Sequence, residues 1–159
     1  MAFTGGMKLL DMMPMGYDLK YINNLFEALD QNGRDIYLYI QIPVDLLYPL
    51  LFGMSNCLLM AYFLKKLDKL NSVLFYLCWL PIIAGIADYL ENFGIISMLV
   101  NYPNLSPNAA ILTNIFTLIK SLITTAYFIL LIIVISAVGI KWSKQRQLER
   151  SNNNYKKKH

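Results

Sequence analysis

The chain has 159 residues, of which 57% are hydrophobic and only 15% are charged, with a formal net charge of +4. An ordinary soluble domain is roughly 25% charged, so this composition argues against a water-soluble fold. The single histidine is the last residue, and the two cysteines lie in apolar runs without metal-ligand spacing, so neither histidine catalysis nor a metal or cofactor is predicted.

The N-terminal segment, residues 1–35, is predicted to lie on the outer side of a membrane and to contain an amphipathic helix over residues 18–31. Asp18 is a suitable N-cap, and Asn32-Gly33 is a suitable C-terminal stop. The helix could lie on the membrane surface or cap the bundle. We expect the cap, because the predicted spans given below extend beyond their charge-free runs and are longer than a bilayer core is thick. Its apolar side chains share one face: Leu19, Ile22, Leu25, Phe26 and Leu29.

Three charge-free runs follow, over residues 46–64, 70–87 and 121–140. At about 1.5 Å per residue, each covers roughly the thickness of a hydrocarbon core. Because the runs are continuously apolar rather than alternating, they predict helices and not a barrel. We therefore predict an all-α integral membrane protein, a three-span helical bundle whose spans lie at about 37–64, 71–100 and 109–140. Pro43, Pro49 and Pro81 predict kinks in the first two spans.

The distribution of basic residues predicts the orientation. Ten Lys and Arg residues lie between the first two spans or after the third, and the connection at 93–109 has none. By the positive-inside rule, the N-terminus is outside and the C-terminus is cytoplasmic. This topology fits a bacterial plasma membrane or a eukaryotic endoplasmic reticulum. It requires either direct translocation of the N-terminal segment or an additional upstream helix. Residues 142–159 are predicted to form a basic, disordered cytoplasmic tail.

Charged residues stand at the outer ends of the three apolar runs, at Asp45, Asp88 and Lys120. Counting along the helices places them at one membrane level, and polar neighbours share their helix faces. We therefore predict one charged cluster, with Lys120 as the counter-ion and Arg34 as a second candidate. Its predicted members are Arg34, Gln41, Asp45, Tyr48, Asp88, Glu91, Asn92 and Lys120.

Three functions fit such a cluster. The leading one is structural: the charges fix helix register and assembly, with a second copy or a partner membrane subunit. The alternative is a pocket of a lipid- or small-molecule-handling enzyme or binder, with Asp45, Asp88 and Glu91 as candidate catalytic groups. A transport or proton path is less favoured, because no matching charges occur on the cytoplasmic half. The bilayer is the expected surrounding, and nothing indicates nucleic-acid binding.

Several short motifs resemble a group of small polytopic membrane proteins, mainly bacterial. They are Asp11-x-x-Pro14-x-Gly16-Tyr17, Gly33-Arg34, Asp45-x-x-Tyr48-Pro49 and Asp88-x-x-Glu91-Asn92. The similarity spans about residues 11–121. It implies a multi-pass architecture and supports the choice of these residues, and it implies no particular activity. Members of the group often begin with one more hydrophobic helix, which does not occur in this chain.

Overall fold

A computed structural model describes residues 6–156, and this range is helical without a β-strand. Residues 1–5 of the predicted outer segment and 157–159 of the predicted tail lie outside it. The α-helices are α1 (Leu19–Ala28), α2 (Asp30–Ile36), α3 (Ile42–Asp45), α4 (Leu47–Lys66), α5 (Leu80–Asn101) and α6 (Pro107–Lys156). A 3-10 helix covers Leu10–Met12, a π-helix Tyr37–Gln41, and a second 3-10 helix Val73–Trp79.

Three helical stretches are long and apolar enough to cross a membrane: Asp30–Lys66, Val73–Asn101 and Pro107–Arg150. The predicted all-α architecture with three such helices is confirmed. The last helix differs from the prediction, because α6 continues to Lys156 where a disordered tail was expected. Residues 142–156 contain neither Gly nor Pro, so nothing in this stretch breaks a helix. One turn apart, the Arg146 guanidinium lies 3.6 Å from the centre of the Trp142 ring.

The amphipathic helix α1 begins as predicted, with the Asp18 carboxylate accepting a hydrogen bond from the backbone N–H of Tyr21 at 2.7 Å. It ends earlier than predicted, at Ala28. Asp30 then adopts a left-handed backbone conformation (φ 44°), and its carboxylate accepts from the N–H of Gly33 at 2.8 Å. A new helix therefore starts at Asp30 and runs through Gly33, so the predicted stop at Asn32-Gly33 is wrong.

Two apolar clusters lie at opposite ends of the bundle. The first joins the buried face of α1 to the start of the first span and to the helix ends around the 102–106 connection; its members include Ile22, Leu25, Phe26, Tyr37, Ile95 and Met98. The second lies near the 67–72 connection and contains Met60, Leu64, Cys78, Tyr127, Leu131 and Val134. The helix α1 thus packs against the bundle, as expected for a cap. Along α5 and α6, the buried polar residues lie between the two clusters.

The first spanning stretch is interrupted near its prolines. The π-helix Tyr37–Gln41 precedes the short α3, and Leu46 separates α3 from α4. Proline has no N–H to donate to the preceding turn. Pro43 and Pro49 therefore leave the Tyr39 and Asp45 carbonyls without their usual helical donors, and the neighbouring Leu46 carbonyl accepts from the Tyr89 hydroxyl at 2.9 Å. The break places Asp45 at the end of a short helix, where its side chain faces the polar layer, which is the level of Asp88, Glu91 and Lys120.

Candidate functional site

The centre of the site is the Lys120 ammonium on α6, which joins two carboxylates of α5. Its Nζ lies 3.2 Å from Asp88 Oδ1 and also pairs with Glu91 Oε2. The Lys120, Asp88 and Glu91 side chains are only 19%, 11% and 0% exposed. Asp88 and Glu91 are three residues apart, which puts both on one face of α5. The predicted pairing of Lys120 with Asp88 and Glu91 is therefore present.

The N-terminal segment is fastened to this centre through Tyr17. Thr117 Oγ1 donates to Glu91 Oε1 at 2.8 Å and lies 3.3 Å from the Tyr17 hydroxyl. The backbone N–H of Tyr17 donates to Asn114 Oδ1 at 2.9 Å. Burial raises the pKa of the Tyr17 hydroxyl, so it remains protonated at physiological pH. These contacts join the segment before α1 directly to α6 and, through Thr117, to Glu91 of α5.

A further carboxylate, Asp11, reaches the site from the 3-10 helix Leu10–Met12. The fully buried Leu10 anchors this short helix in the first apolar cluster. The Tyr37 hydroxyl, at the start of the π-helix, donates to Asp11 Oδ1 at 2.7 Å. Asp11 therefore accepts from a neutral donor, and no Lys or Arg of the part of the chain that the structure describes forms an ion pair with it.

Asp45 is also held by a neutral donor. The Gln41 amide lies one turn earlier and donates to its two carboxylate oxygens at 3.2 and 3.1 Å. Gln41 and Asp45 thus act together, as their four-residue spacing predicted.

Two adjoining cavities open beside these groups. The larger has a volume of about 310 Å³, and its walls include Asp11, Tyr48, Phe52, Asp88, Lys120 and Thr124. The smaller has a volume of about 190 Å³ and is lined by Asp11, Asp45, Tyr48, Asp88, Asn92 and Lys120. Asp11, Tyr48, Asp88 and Lys120 belong to both. The polar groups therefore face open space rather than packing only against one another.

Arg34 does not belong to the cluster, which corrects the prediction. Its guanidinium donates to the Phe26 carbonyl at 2.6 Å and to Gln31 Oε1 at 3.0 Å, and it lies 4.7 Å from the centre of the Tyr102 ring. Arg34 was expected next to the first span, but α2 directs it towards the C-terminal end of α1. A cation near a helix C-terminus is favourable, because the last carbonyls there lack helical partners.

The structure brings together most of the predicted members of the cluster. The smaller cavity is lined by Asp45, Tyr48, Asp88, Asn92 and Lys120. Glu91 and Gln41 are not in its wall, but Glu91 pairs with Lys120 and Gln41 donates to Asp45. A catalytic role for Asp45, Asp88 or Glu91 stays a prediction. Within residues 6–156, no group of three or more His, Cys, Asp or Glu residues is placed to hold a metal ion.

Sequence reasoning missed three contributors, Asp11, Tyr17 and Tyr37. The available signal was the motif Asp11-x-x-Pro14-x-Gly16-Tyr17, which places a carboxylate and an aromatic hydroxyl in a segment with no other strong pattern. Thr117 was detectable, since it shares the polar face of the third span with Lys120.

No protein-family model, curated protein or solved structure matches this chain.

Proposed function

We propose that this is a multi-pass membrane protein that binds a small ligand in the two cavities beside the Lys120 network. The observation that carries the proposal is the larger cavity, about 310 Å³, with Asp11, Asp88 and Lys120 in its wall. Ligand sites are concave and mostly apolar, with a few convergent polar groups. Here the apolar part of the wall comes from Phe52 and Ala84.

The lengths of the helices support a site at the outer boundary of the hydrocarbon core. The 20 residues of α4 span about 30 Å at 1.5 Å per residue, which equals the core thickness. Lys66 ends α4 on the basic side, and Asp45 stands just before its other end. The exposed aromatic residues Tyr62, Trp79 and Trp142 lie near the basic end, as is typical of a membrane interface. The cavities then open towards the outer aqueous side and the outer headgroups.

The orientation has its own test. In a background without Cys57 and Cys78, we expect the variants Asp68→Cys and Asn104→Cys to react with an impermeant thiol reagent from opposite sides of the membrane. Asn104 should react in intact cells, and Asp68 only after permeabilisation. Labelling of both positions from one side would contradict the proposed topology.

A structural or assembly role is the second candidate. It is favoured by the contacts of the Lys120 ammonium with Asp88 and Glu91, which tie α5 to α6. Three helices form a thin bundle, so this role predicts a homo-oligomer or a partner subunit in the membrane. Native mass spectrometry of nanodisc-embedded protein measures this directly. A single copy without a partner would count against assembly and would leave ligand binding unaffected.

The binding proposal is tested by filling the larger cavity. We suggest measuring the thermal stability of the full chain in detergent against a panel of small anions, neutral polar molecules and cations. The test variant is Thr124→Phe, which places a ring in the cavity wall. The matched control is Ser136→Phe, the same kind of change at an exposed position on the same helix.

We expect at least one class of compound to stabilise the wild type and the Ser136→Phe control in a saturable manner. The Thr124→Phe variant should lose this response while still folding. If no class stabilises the wild type, these cavities are not a binding site. If Thr124→Phe responds like the control, the larger cavity is not part of the site, because Thr124 lines only that cavity.

A further inference from the structure

The charges around the smaller cavity are unbalanced. Asp11, Asp45 and Asp88 line it, Glu91 lies behind it, and Lys120 is the one cation among the described residues that line it. The Lys120 ammonium is shared between Asp88 and Glu91. Among residues 6–156, the hydrogen bonds that Asp11 and Asp45 accept come from neutral donors, the Tyr37 hydroxyl and the Gln41 amide. The carboxylates at the cavity therefore outnumber its cations, and a bound cation would offset the excess negative charge.

An independent observation points to a ligand that donates hydrogen bonds. Asn92 is 1% exposed and lines the same cavity, and its Oδ1 has no hydrogen-bond partner among the described residues. A buried acceptor without a donor is costly, and such groups are rare in folded proteins. Because Asn92 lines the cavity, a donor bound there is the partner that would satisfy this oxygen.

The remaining wall also suits an organic cation. Tyr48 lines both cavities, and its ring stacks on that of Phe52 with 5.6 Å between centroids. Aromatic faces attract ammonium groups through their quadrupole. A volume of about 190 Å³ fits the polar end of a small molecule.

We propose that the smaller cavity binds a primary ammonium group, with Asp11 and Asp45 as its counter-charges and Asn92 Oδ1 as a hydrogen-bond acceptor. This inference rests on the proposed ligand-binding function and names the class of ligand. The group could belong to a soluble amine, or to an ethanolamine headgroup of the outer leaflet at the depth proposed for the site. Both sources present the same –NH₃⁺ group.

The test uses matched probes and the full chain. At constant pH and ionic strength in detergent, thermal stability is measured against ethanolamine and ethylene glycol. Ethylene glycol replaces the ammonium with a hydroxyl and keeps the size. Tetramethylammonium is a third probe, with the charge but without N–H donors. The expected order of affinity is ethanolamine, then tetramethylammonium, with no saturable response to ethylene glycol.

Two variants assign the effect to the cavity. We expect Asp45→Asn and Asn92→Leu each to weaken ethanolamine binding at least tenfold. Asp45→Asn keeps the shape and leaves the Lys120 pairs intact, so it remains informative if Asn92→Leu does not fold. Asp68→Asn, at the far end of the bundle, is the matched charge-removal control and should bind like the wild type.

A lipid arm distinguishes the two sources. Native mass spectrometry compares nanodiscs of phosphatidylethanolamine with nanodiscs of phosphatidylcholine and phosphatidylglycerol. Retention of phosphatidylethanolamine by the wild type but not by Asp45→Asn identifies a headgroup. Saturable stabilisation by free ethanolamine without lipid retention identifies a soluble amine. Either result supports the proposal.

Three results would overturn it. Equal effects of ethanolamine and ethylene glycol would show that the charge is not recognised. Stabilisation of the wild type by anions or neutral molecules alone, lost in Thr124→Phe, would refute the ammonium ligand and keep the binding function. A stability that depends on pH but on none of the three probes would show that protons neutralise the carboxylates. If, in addition, no compound of the panel stabilises the wild type, the proposed binding function is refuted as well.

Discussion

Two lysines on the same helix form ion pairs with very different surroundings. Lys120 pairs with Asp88 and Glu91 in the polar layer, where the three side chains are 19%, 11% and 0% exposed. Lys141 pairs with Asp68 at the opposite end, where these side chains are 33% and 84% exposed. Both pairs tie α6 to another part of the chain. The difference between them is access to water.

Burial decides what each pair contributes. A charge taken out of water is expensive, so each buried member depends on its partner. An exposed charge is solvated whether or not its partner is present, and salt screens the attraction. The Lys120 network should therefore be sensitive to the loss of any one group, and the Lys141 pair should not.

We expect the largest loss of stability from Lys120→Met. It leaves two carboxylates in the polar layer without their cation, and we expect a loss of about 3–5 kcal/mol in the free energy of unfolding. Adding Glu91→Gln and Asp88→Asn should recover much of this loss, because neither of the two partners of Lys120 then carries an unpaired charge. The measurement is equilibrium unfolding in detergent.

Lys141→Met is the matched control at the exposed pair and should change the unfolding free energy far less. Two outcomes would contradict the comparison. One is an equal effect of the two lysine substitutions, and the other is a combined variant that is no more stable than Lys120→Met alone. The second outcome would show that the carboxylates are not the cause of the loss.

Gly94→Ala tests how closely α5 and α6 approach beside the polar layer. A Cβ at residue 94 would lie 2.0 Å from Thr113 Oγ1 and 2.7 Å from its Cγ2, both too short for a real contact. Because Thr113 is buried and has little room to move, we expect a loss of about 1–3 kcal/mol, as for other overpacked cores.

The companion substitution Thr113→Ala removes Oγ1 and Cγ2 but leaves the Thr113 Cβ, 2.8 Å from the new Cβ. It should therefore relieve part of the clash, so that the double variant is more stable than Gly94→Ala but less stable than the wild type. Gly139→Ala on α6, where a Cβ would meet nothing within 4 Å, is the matched control and should be neutral or slightly stabilising. If Gly94→Ala is as stable as Gly139→Ala, the two helices are not in the close contact described.

The polar layer shows which parts of this architecture follow from sequence. Asp88, Glu91 and Lys120 were predictable, because charges bordering apolar helices must turn towards one another. The position of Arg34 was not, because it depends on the left-handed turn at Asp30, which redirects the chain. The place of Asp11 was not predictable either, although a short motif marked the residue. Its place in the cavity wall depends on the fold of a short segment with no periodicity, and only tertiary contacts such as that with Tyr37 fix it.

Tyr17→Phe probes the attachment of the N-terminal segment to the polar layer. It removes a buried hydroxyl 3.3 Å from Thr117 Oγ1 and keeps the ring. We expect a loss of about 1 kcal/mol, the typical net value of one hydrogen bond. Tyr21→Phe is the matched control, since that hydroxyl donates to the Lys8 carbonyl at an exposed position. Similar losses in the two variants would mean that burial adds nothing at residue 17.

The smallest effect is expected for Asp68→Asn at the exposed pair. Asp68 follows α4 with a left-handed backbone (φ 59°), a conformation that asparagine also tolerates, so the substitution removes the charge without straining the turn.

The hydrogen bond and charge of Lys141 lower the pKa of the Asp68 carboxyl. A group whose pKa is lower in the folded state stabilises the fold above its unfolded pKa, and this contribution disappears as the pH falls through the folded value. The wild type and Asp68→Asn should therefore differ slightly at neutral pH and converge in acid, below the ordinary aspartate range. High salt should also bring them together, since the Asp68 carboxylate is largely exposed to counter-ions. A difference that persists at low pH and high salt would show that Asp68 acts through the shape of the turn rather than through its charge, and the contrast with Lys120 would then rest on the buried pair alone.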